Sequence, residues 1–377
     1  MKKSDVFVEV RMRVVIAGGG TAGHINPGIA IAKYIKKKVD DCEIIFIGTR
    51  KGLETKLVER EGFELKLIKV RGFKRKLSLD TFVAVKEMFQ SVFEARKVLK
   101  KFKPDIVIGT GGYVCGPVLF AASRMKIPTL IHESNAFPGA TNKLLSRFVN
   151  LVAISFKESK EYFKKEANVV HTGNPVRDEL LLAERTSSRE KLGIASDRPL
   201  VVIMGGSRGA ENINAAVVEM LQKYYEDGEF DVIFATGEGQ FDKIKSETGK
   251  LDEKYVKILP YIYNSADTYA AADLIVCRGG AITMSEVTAM GIPAVIIPSP
   301  YVTANHQEYN ARALETQGAA VVILEKDLGG LILYNQIMDL LKDRDQLSKM
   351  ARNSKKMGIT NASEKIFLSI QELLKRK

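Results

Sequence analysis

The chain has 377 residues, enough for two domains at roughly 100–200 residues each, and its 45% hydrophobic, 27% charged composition is that of a globular protein with real cores. No apolar run approaches the roughly 20 residues that span a bilayer, and no apolar h-region follows Met1-Lys2-Lys3-Ser4-Asp5, so no secretory signal is expected. The net charge of +12 calls for an acidic partner: a nucleotide, a nucleic acid or an anionic membrane. Cys42, Cys115 and Cys277 are widely separated and lack C-x-x-C spacing, which predicts reduced thiols in a cytoplasmic protein.

In chain order, short apolar runs predict strands at Val14–Ala17, Ile44–Ile47, Leu65–Val70, Ile106–Ile108, Thr129–Ile131 and Leu151–Ile154. A second set follows at Leu200–Met204, Val232–Ala235, Val256–Leu259, Leu274–Cys277, Ala294–Ile297 and Ala320–Leu324. Helix-length segments separate them, so the pattern predicts βαβ units with parallel sheets. The halves begin alike, RVVIAGGGTAGHINPGIAIA from Arg13 and PLVVIMGGSRGAENINAAVV from Pro199. Two copies of one α/β architecture follow, 1–173 and 174–359, joined near Gly173-Asn174-Pro175-Val176. The tail 360–377 is expected to be helical and to pack back on the first domain.

Four glycine turns follow strands and open helices. Gly18–Gly23 satisfies G-x-G-x-x-G, but the second strand ends Phe46-Ile47-Gly48-Thr49-Arg50, without the carboxylate that a dinucleotide fingerprint needs for the ribose. Arg50 would suit an NADP phosphate, so an NAD(P)-dependent oxidoreductase stays open. The other turns are Gly109-Thr110-Gly111-Gly112-Tyr113, Gly205–Ala210 and Arg278–Thr283. Glycine lets backbone approach a ligand, and N–H groups at a helix start favour phosphate. Four such turns in two domains point to a phosphate-bearing substrate.

His24 sits at a helix start just after such a turn, where the positive end of the dipole favours the neutral, base-competent imidazole. His132, His171 and His306 also fall at strand ends, helix starts or loops. No metal ligand set is expected: the one D-x-D, Asp343-Arg344-Asp345, lies in a polar helical stretch and reads as a solvated face. From Arg71 to Lys103 there are ten Lys/Arg and three Asp/Glu, with Phe73, Leu77, Leu79, Phe82, Val85, Phe89 and Val92 among them. Two readings stand: a surface for anionic lipid, or an amphipathic helix with the stripe Phe82, Val85, Phe89 and Val92 in the core. A nucleic-acid-binding protein would also use the charge, and would show steep salt dependence, but no recognised module for it is present.

The motifs GGGTAGHINP (18–27), GTGGYVCGP (109–117), HESN (132–135), GNPVR (173–177), GGSRGAENIN (205–214), RGGAITMSE (278–286) and NHQEYNA (305–311) resemble the MurG family of GT-B glycosyltransferases, over nearly the whole chain. The resemblance implies two Rossmann-like domains with parallel sheets facing across a cleft. It implies inverting transfer of N-acetylglucosamine from UDP-GlcNAc to the 4-hydroxyl of lipid I, an undecaprenyl pyrophosphate-linked acceptor, with no metal and no cofactor. The second domain would hold UDP: Ile262, Ala281, Ile282 and Thr283 near base and phosphates, Ser207 and Thr283 at the diphosphate, and Glu286 on the ribose. Arg177 corresponds to a donor-site arginine, and Asn135 and Gln307 would hold the sugar. Thr21, Ala22 and Gly23 align with a first-domain loop closing on the donor, and Thr21, Gly111, Gly112 and Tyr113 would face the acceptor diphosphate. His24 is the candidate general base.

The resemblance further implies a peripheral protein on the cytoplasmic face of the membrane that meets anionic inner-leaflet phospholipid, and no nucleic acid partner. A related transferase acting on diacylglycerol is the alternative within the fold. The chain departs from the family pattern at Ala22, where glycine is usual and alanine is expected to be tolerated unless φ is positive. It departs again at Ser134 in place of Gln, and at Glu308, so that only Gln307 is carried over. Residues before Arg11 read as an N-terminal extension to which the resemblance assigns no role.

Overall fold

Each of the twelve apolar runs forms a parallel strand in the computed structural model, which describes residues 11–50, 52–70, 80–206, 209–249 and 251–375. In the first half the strands are β1 (Met12–Gly18), β2 (Cys42–Gly48), β3 (Glu64–Leu67), β4 (Ile106–Gly111), β5 (Thr129–Glu133), β6 (Leu151–Ile154) and β7 (Val169–His171). In the second they are β8 (Leu200–Met204), β9 (Asp231–Ala235), β10 (Val256–Leu259), β11 (Leu274–Cys277), β12 (Ala294–Ile296) and β13 (Ala320–Val322). The chain divides into two compact units, one of residues 1–175 with 361–377, the other of residues 176–360.

In the first unit the described strands form one sheet in the order β3-β2-β1-β4-β5-β6-β7. Both faces are covered, so successive residues of one strand enter different cores, as buried parallel sheets require. Val14, Ile16, Ile44 and Phe46 pack with Ile25, Ile31 and Ile35 of the helix Ala22–Lys38 and with Ile366, Phe367 and Ile370 of the helix Ala362–Lys375. Val15, Ala17, Ile45 and Ile47 pack on the other face with Ala95 and Leu99 of the helix Asp80–Phe102 and with Val118 and Leu119 of the helix Cys115–Arg124. The tail helix thus belongs to the first unit's core, where Phe367 meets Tyr34 edge-on at 5.9 Å.

The second unit repeats the order as β10-β9-β8-β11-β12-β13. Val201, Ile203, Val232, Phe234 and Val276 form one face of its core with Ile213 and Val217 of the helix Glu211–Lys223 and Leu333 and Ile337 of the helix Gly330–Lys342. Among the described residues no helix is long and apolar enough to cross a membrane.

Three expectations need correction. The edge strand β7 escapes periodicity because it is three residues long and only its Val169 packs against the core. β3 stops at Leu67, before the expected Val70. Of the stripe Phe82, Val85, Phe89 and Val92 that one of the two readings placed in the core, Val92 packs there and Phe89 does not. Ser91, Ala95 and Leu99 face inward with Val92, Val98 and Phe102 packed beside them, whereas Phe89 is 68% and Phe93 58% exposed. At 100° per residue, Phe89 lies on the far side of the helix from Ser91, so the repeat 91-95-99-102 takes the core. Phe82 and Val85 lie outside the described side chains, and Phe73, Leu77 and Leu79 outside the described residues.

Candidate active site

In an open parallel sheet, ligands bind beyond the carboxyl ends of the strands at the point where strand order reverses. That point falls between β1 and β4 in the first unit and between β8 and β11 in the second. All four glycine turns read from the sequence lie at these two places, since Gly18–Gly23 follows β1, Gly111–Tyr113 ends β4, Gly205–Ala210 follows β8 and Arg278–Thr283 follows β11.

At the first switch point the two turns interlock. Gly19 N–H donates to the Gly111 carbonyl at 3.2 Å, and a Cβ on Gly112 would strike the Gly19 carbonyl oxygen. Gly20 has φ +87°, the left-handed region that glycine enters without a Cβ penalty. Thr21 is the extended N-cap residue and Ala22 the first residue of the helix. Ala22 therefore does not need positive φ, which is why alanine can stand where the family has glycine. Thr21 and Gly23 are exposed, and His24 is half-buried with its ring against Gly111.

The His24 ring is oriented by the turn itself. Nδ1 lies 3.1 Å from the Gly19 carbonyl oxygen and 3.4 Å from Thr21 Oγ1. A carbonyl can only accept, so Nδ1 carries the proton in that bond and Nε2 is left as the acceptor nitrogen of the neutral ring. This is the tautomer a general base needs. Tyr113 projects into solvent from the β4 turn. Cys115 beneath it is buried and bonded to Ala17 and Gly111, and burial pushes its thiol up to about 12. It is a packing thiol rather than a nucleophile.

The HESN segment has a supporting character. The Glu133 carboxylate accepts from Asn135 N–H at 2.9 Å and Asn135 Nδ2 at 3.2 Å, and from Gly139 N–H and Asn142 Nδ2 on its other oxygen. Asn135 is thereby fixed at the end of β5. His132 is fully buried, bonded through Nε2 to the Gly173 carbonyl, and burial lowers its pKa to about 4. It stays neutral and serves structure.

At the second switch point the helix Ala281–Met290 starts from Gly280 with no side-chain cap. Thr283 stands in the first turn of that helix, and Glu286 projects from its second turn, nearly buried, with Oε1 accepting from Arg177 Nε at 2.9 Å. Burial raises the Glu286 pKa above the usual carboxylate range, and the Arg177 charge only partly offsets this. Arg177 also donates to Ser265 Oγ at 2.9 Å. Gln307 lies in the first turn of the helix His306–Thr316 and accepts from Ser299 N–H at 2.9 Å. Ile262 is buried between the exposed Tyr261 and Tyr263, in the segment after β10. The structure therefore brings Arg177 and Glu286 into contact and sets Ala281, Ile282 and Thr283 on the same helix start. Ser207 lies outside the described residues.

Two groups escaped the sequence reading. One is Glu325, which pairs with Arg278 of the fourth glycine turn and also accepts from Asn212 Nδ2 at 2.6 Å. Glu54 is fully buried under the first turn and accepts from Gly20 N–H at 2.9 Å. Neither sits in a glycine motif, and a lone acid in a helix gives no sequence signal. Asp343 of the D-x-D is the N-cap of the helix Arg344–Met357, accepting from Gln346 N–H at 2.9 Å.

Two α/β units with glycine turns at both switch points, one displaying an imidazole and the other a helix start with a paired carboxylate, have the GT-B architecture. The chain matches the glycosyltransferase family 28 N-terminal domain over residues 14–154 and the C-terminal domain over 200–366. It belongs to that family, within the branch of its high-identity relatives. One from Acetivibrio thermocellus, named UDP-N-acetylglucosamine--N-acetylmuramyl-(pentapeptide) pyrophosphoryl-undecaprenol N-acetylglucosamine transferase, is 64% identical over 97% of this chain and 99% of its own. A protein of the same name from Ruminiclostridium cellulolyticum is 60% identical over 96% of this chain and all of its own. The crystal structure of Acinetobacter baumannii MurG superposes with a TM-score of 0.80 at 30% identity, covering 96% of this chain and 99% of that one.

Proposed function

We infer that the protein transfers N-acetylglucosamine from UDP-GlcNAc to the 4-hydroxyl of the N-acetylmuramyl residue of lipid I, forming lipid II for peptidoglycan. The observation that carries this is the identity of 64% over 97% of the chain with a transferase of that name, on an architecture that has candidate groups at both switch points. In the reaction the 4-hydroxyl oxygen bonds the anomeric carbon from the face opposite the leaving group. The bond from that carbon to the diphosphate oxygen breaks, and UDP leaves with the electron pair. The hydroxyl proton passes to His24 Nε2, and the configuration inverts.

The second unit is the donor side in this reading. Glu286 accepts from the ribose hydroxyls, with Arg177 holding its carboxylate in place. The N–H groups of the 281–283 helix start, the Thr283 hydroxyl and Ser207 meet the diphosphate, whose charge a helix N-terminus favours. Ile262 lies beside the base, and Gln307 and Asn135 serve the sugar. The first unit is the acceptor side: Thr21, Gly111, Gly112 and Tyr113 face the lipid pyrophosphate and His24 takes the proton. Transfer of labelled GlcNAc tests the reaction. Lipid I should accept and diacylglycerol should not, and the reverse result would make the diacylglycerol transferase the correct reading.

We further propose that the protein docks peripherally on the cytoplasmic face of the membrane through the basic segment ending at Lys103. The exposed Phe89 and Phe93 lie one turn apart, with Lys97 over the Phe93 ring at 4.7 Å and Arg96 and Lys100 also exposed. Aromatic side chains flanked by cations suit an anionic lipid interface. A Lys74/Arg75/Lys76→Glu variant should lose binding to phosphatidylglycerol vesicles. Binding equal to wild type would remove this segment as the anchor.

A further inference from the structure

The Gly19–Gly20 peptide is hydrogen-bonded on both sides. Its carbonyl accepts from His24 Nδ1 at 3.1 Å, and its N–H donates to Glu54 Oε2 at 2.9 Å. The two groups point in opposite directions within one rigid plane. Whatever holds the N–H therefore also aims the carbonyl.

Glu54 opens the helix Glu54–Arg60 and is fully buried. Its other oxygen, Oε1, accepts from Thr49 N–H and Thr49 Oγ1, both at 2.8 Å. A Cβ on Gly19, Gly48 or Gly52 would strike its side chain, so three glycines clear the space it fills. Burying a carboxylate is costly unless it is fully bonded. Burial pushes the Glu54 pKa up, but the bonds from Gly20 and Thr49 outweigh it and leave the group below its usual value. The carboxylate is charged, well bonded, and placed against the one peptide that orients His24.

We propose that Glu54 is a positioning residue for His24, acting through the Gly19–Gly20 peptide: the carboxylate fixes and polarises that peptide, and its carbonyl in turn holds Nδ1–H and keeps Nε2 the basic nitrogen. Hydrogen bonds in a chain strengthen one another in a low-dielectric setting. A carboxylate bonded directly to a histidine N–H fixes its tautomer and raises its basicity. Here one peptide is interposed between the two. The Gly111–Gly112 turn packs against the same peptide, and Glu54 holds its N–H. The carboxylate also occupies the Gly20 N–H that a dinucleotide phosphate would use, which separates this turn from a cofactor loop.

The inference rests on His24 being the base, and the test separates the two. Other titratable groups on the elements around His24 are Cys115, neutral because burial raises it to about 12, the exposed Tyr113, Lys56, Glu59 and Arg60 of the helix Glu54–Arg60, and Glu364, Lys365 and Glu372 of the tail helix. Glu54→Gln keeps the side chain's size but has one acceptor oxygen, so it cannot serve both Gly20 and Thr49. In the full-length protein with UDP-GlcNAc and lipid I, kcat should fall ~10–100-fold, the effect of losing a carboxylate behind a functional histidine, with both KM values little changed. The acid limb of the kcat–pH profile should move to lower pH, because the ring becomes less basic. In a His24→Ala background Glu54→Gln should add almost nothing.

A near-wild-type rate for His24→Ala would overturn the base assignment. A slow His24→Ala on which the Glu54→Gln loss is fully additive, or an unmoved pH profile, would overturn the positioning role alone. If Glu54→Gln folds poorly, ¹⁵N shifts of the His24 ring in Thr49→Val, which removes one of the two Thr49 donors to Oε1, provide the second measurement. A single Nδ1–H tautomer in wild type that becomes mixed in Thr49→Val supports the relay. A mixed tautomer already in wild type contradicts it.

Discussion

The two units share a strand order and place glycine turns at the same switch point, yet the turns are bonded differently. In the first, the polar groups of the turn are consumed internally: Gly19 N–H by Gly111, Gly20 N–H by Glu54 and the Gly19 carbonyl by His24. What it presents is one oriented imidazole. In the second, Glu286 of the helix Ala281–Met290 is held by Arg177, and the start of that helix, like that of the helix Ala22–Lys38, has no side-chain cap. What it presents is a helix start that favours an anion, beside a carboxylate that can accept from hydroxyls. In the proposed reading the same fold supports proton transfer in one unit and nucleotide binding in the other, so function has to be read from each site rather than from the shared topology.

The comparison breaks most visibly at His24. His24→Ala should lower kcat by ~10²–10⁴-fold, the usual contribution of a general base, with the donor KM little affected. A rate within a few-fold of wild type would remove His24 from the chemistry. Glu286→Ala should raise the UDP-GlcNAc KM by ~10–100-fold, as expected for losing hydrogen bonds to a charged acceptor. Because burial holds its pKa above the usual carboxylate range, donor affinity should also weaken on acidification before an ordinary glutamate would protonate. Glu286→Gln should lose that pH dependence, and a retained one would place the titration elsewhere.

A smaller effect concerns stability. The His132 pKa is about 4 in the folded state against 6.5 for the free side chain. Between those values the unfolded chain binds the extra proton, so stability falls as pH drops from 6.5 towards about 4, by ~3 kcal/mol over the window. His171 is shifted the same way, so urea unfolding should compare wild type with His132→Gln, whose slope should be shallower. Equal slopes would mean that His132 is accessible to protons in the fold.

Most of this architecture was legible in the sequence because both faces of each sheet are buried. Val14–Ala17 and Leu200–Ile203 contribute alternate residues to different cores or are buried outright, and such runs stand out without any alternation. The turns were legible because glycine is needed where backbones meet, as at Gly112 against Gly19. Other features lacked a local signal. β7 is a three-residue edge strand. Spacing alone left Phe89 open between a core stripe and an exposed surface, and packing selected the face through Ser91, Ala95 and Leu99. Glu54 lies 34 residues from Gly20, a contact that only the β1–β2 pairing creates. Arg177 and Glu286 are 109 residues apart, and family motifs named both without giving their ion pair.

The central claim is the division of labour between the two switch points. Calorimetric titration of UDP into wild type, His24→Ala and Glu286→Ala tests it most directly. If the two switch points divide the work in this way, His24→Ala binds UDP with a Kd equal to wild type while Glu286→Ala binds at least ~10-fold more weakly. Equal weakening in both variants, or none in Glu286→Ala, would contradict it.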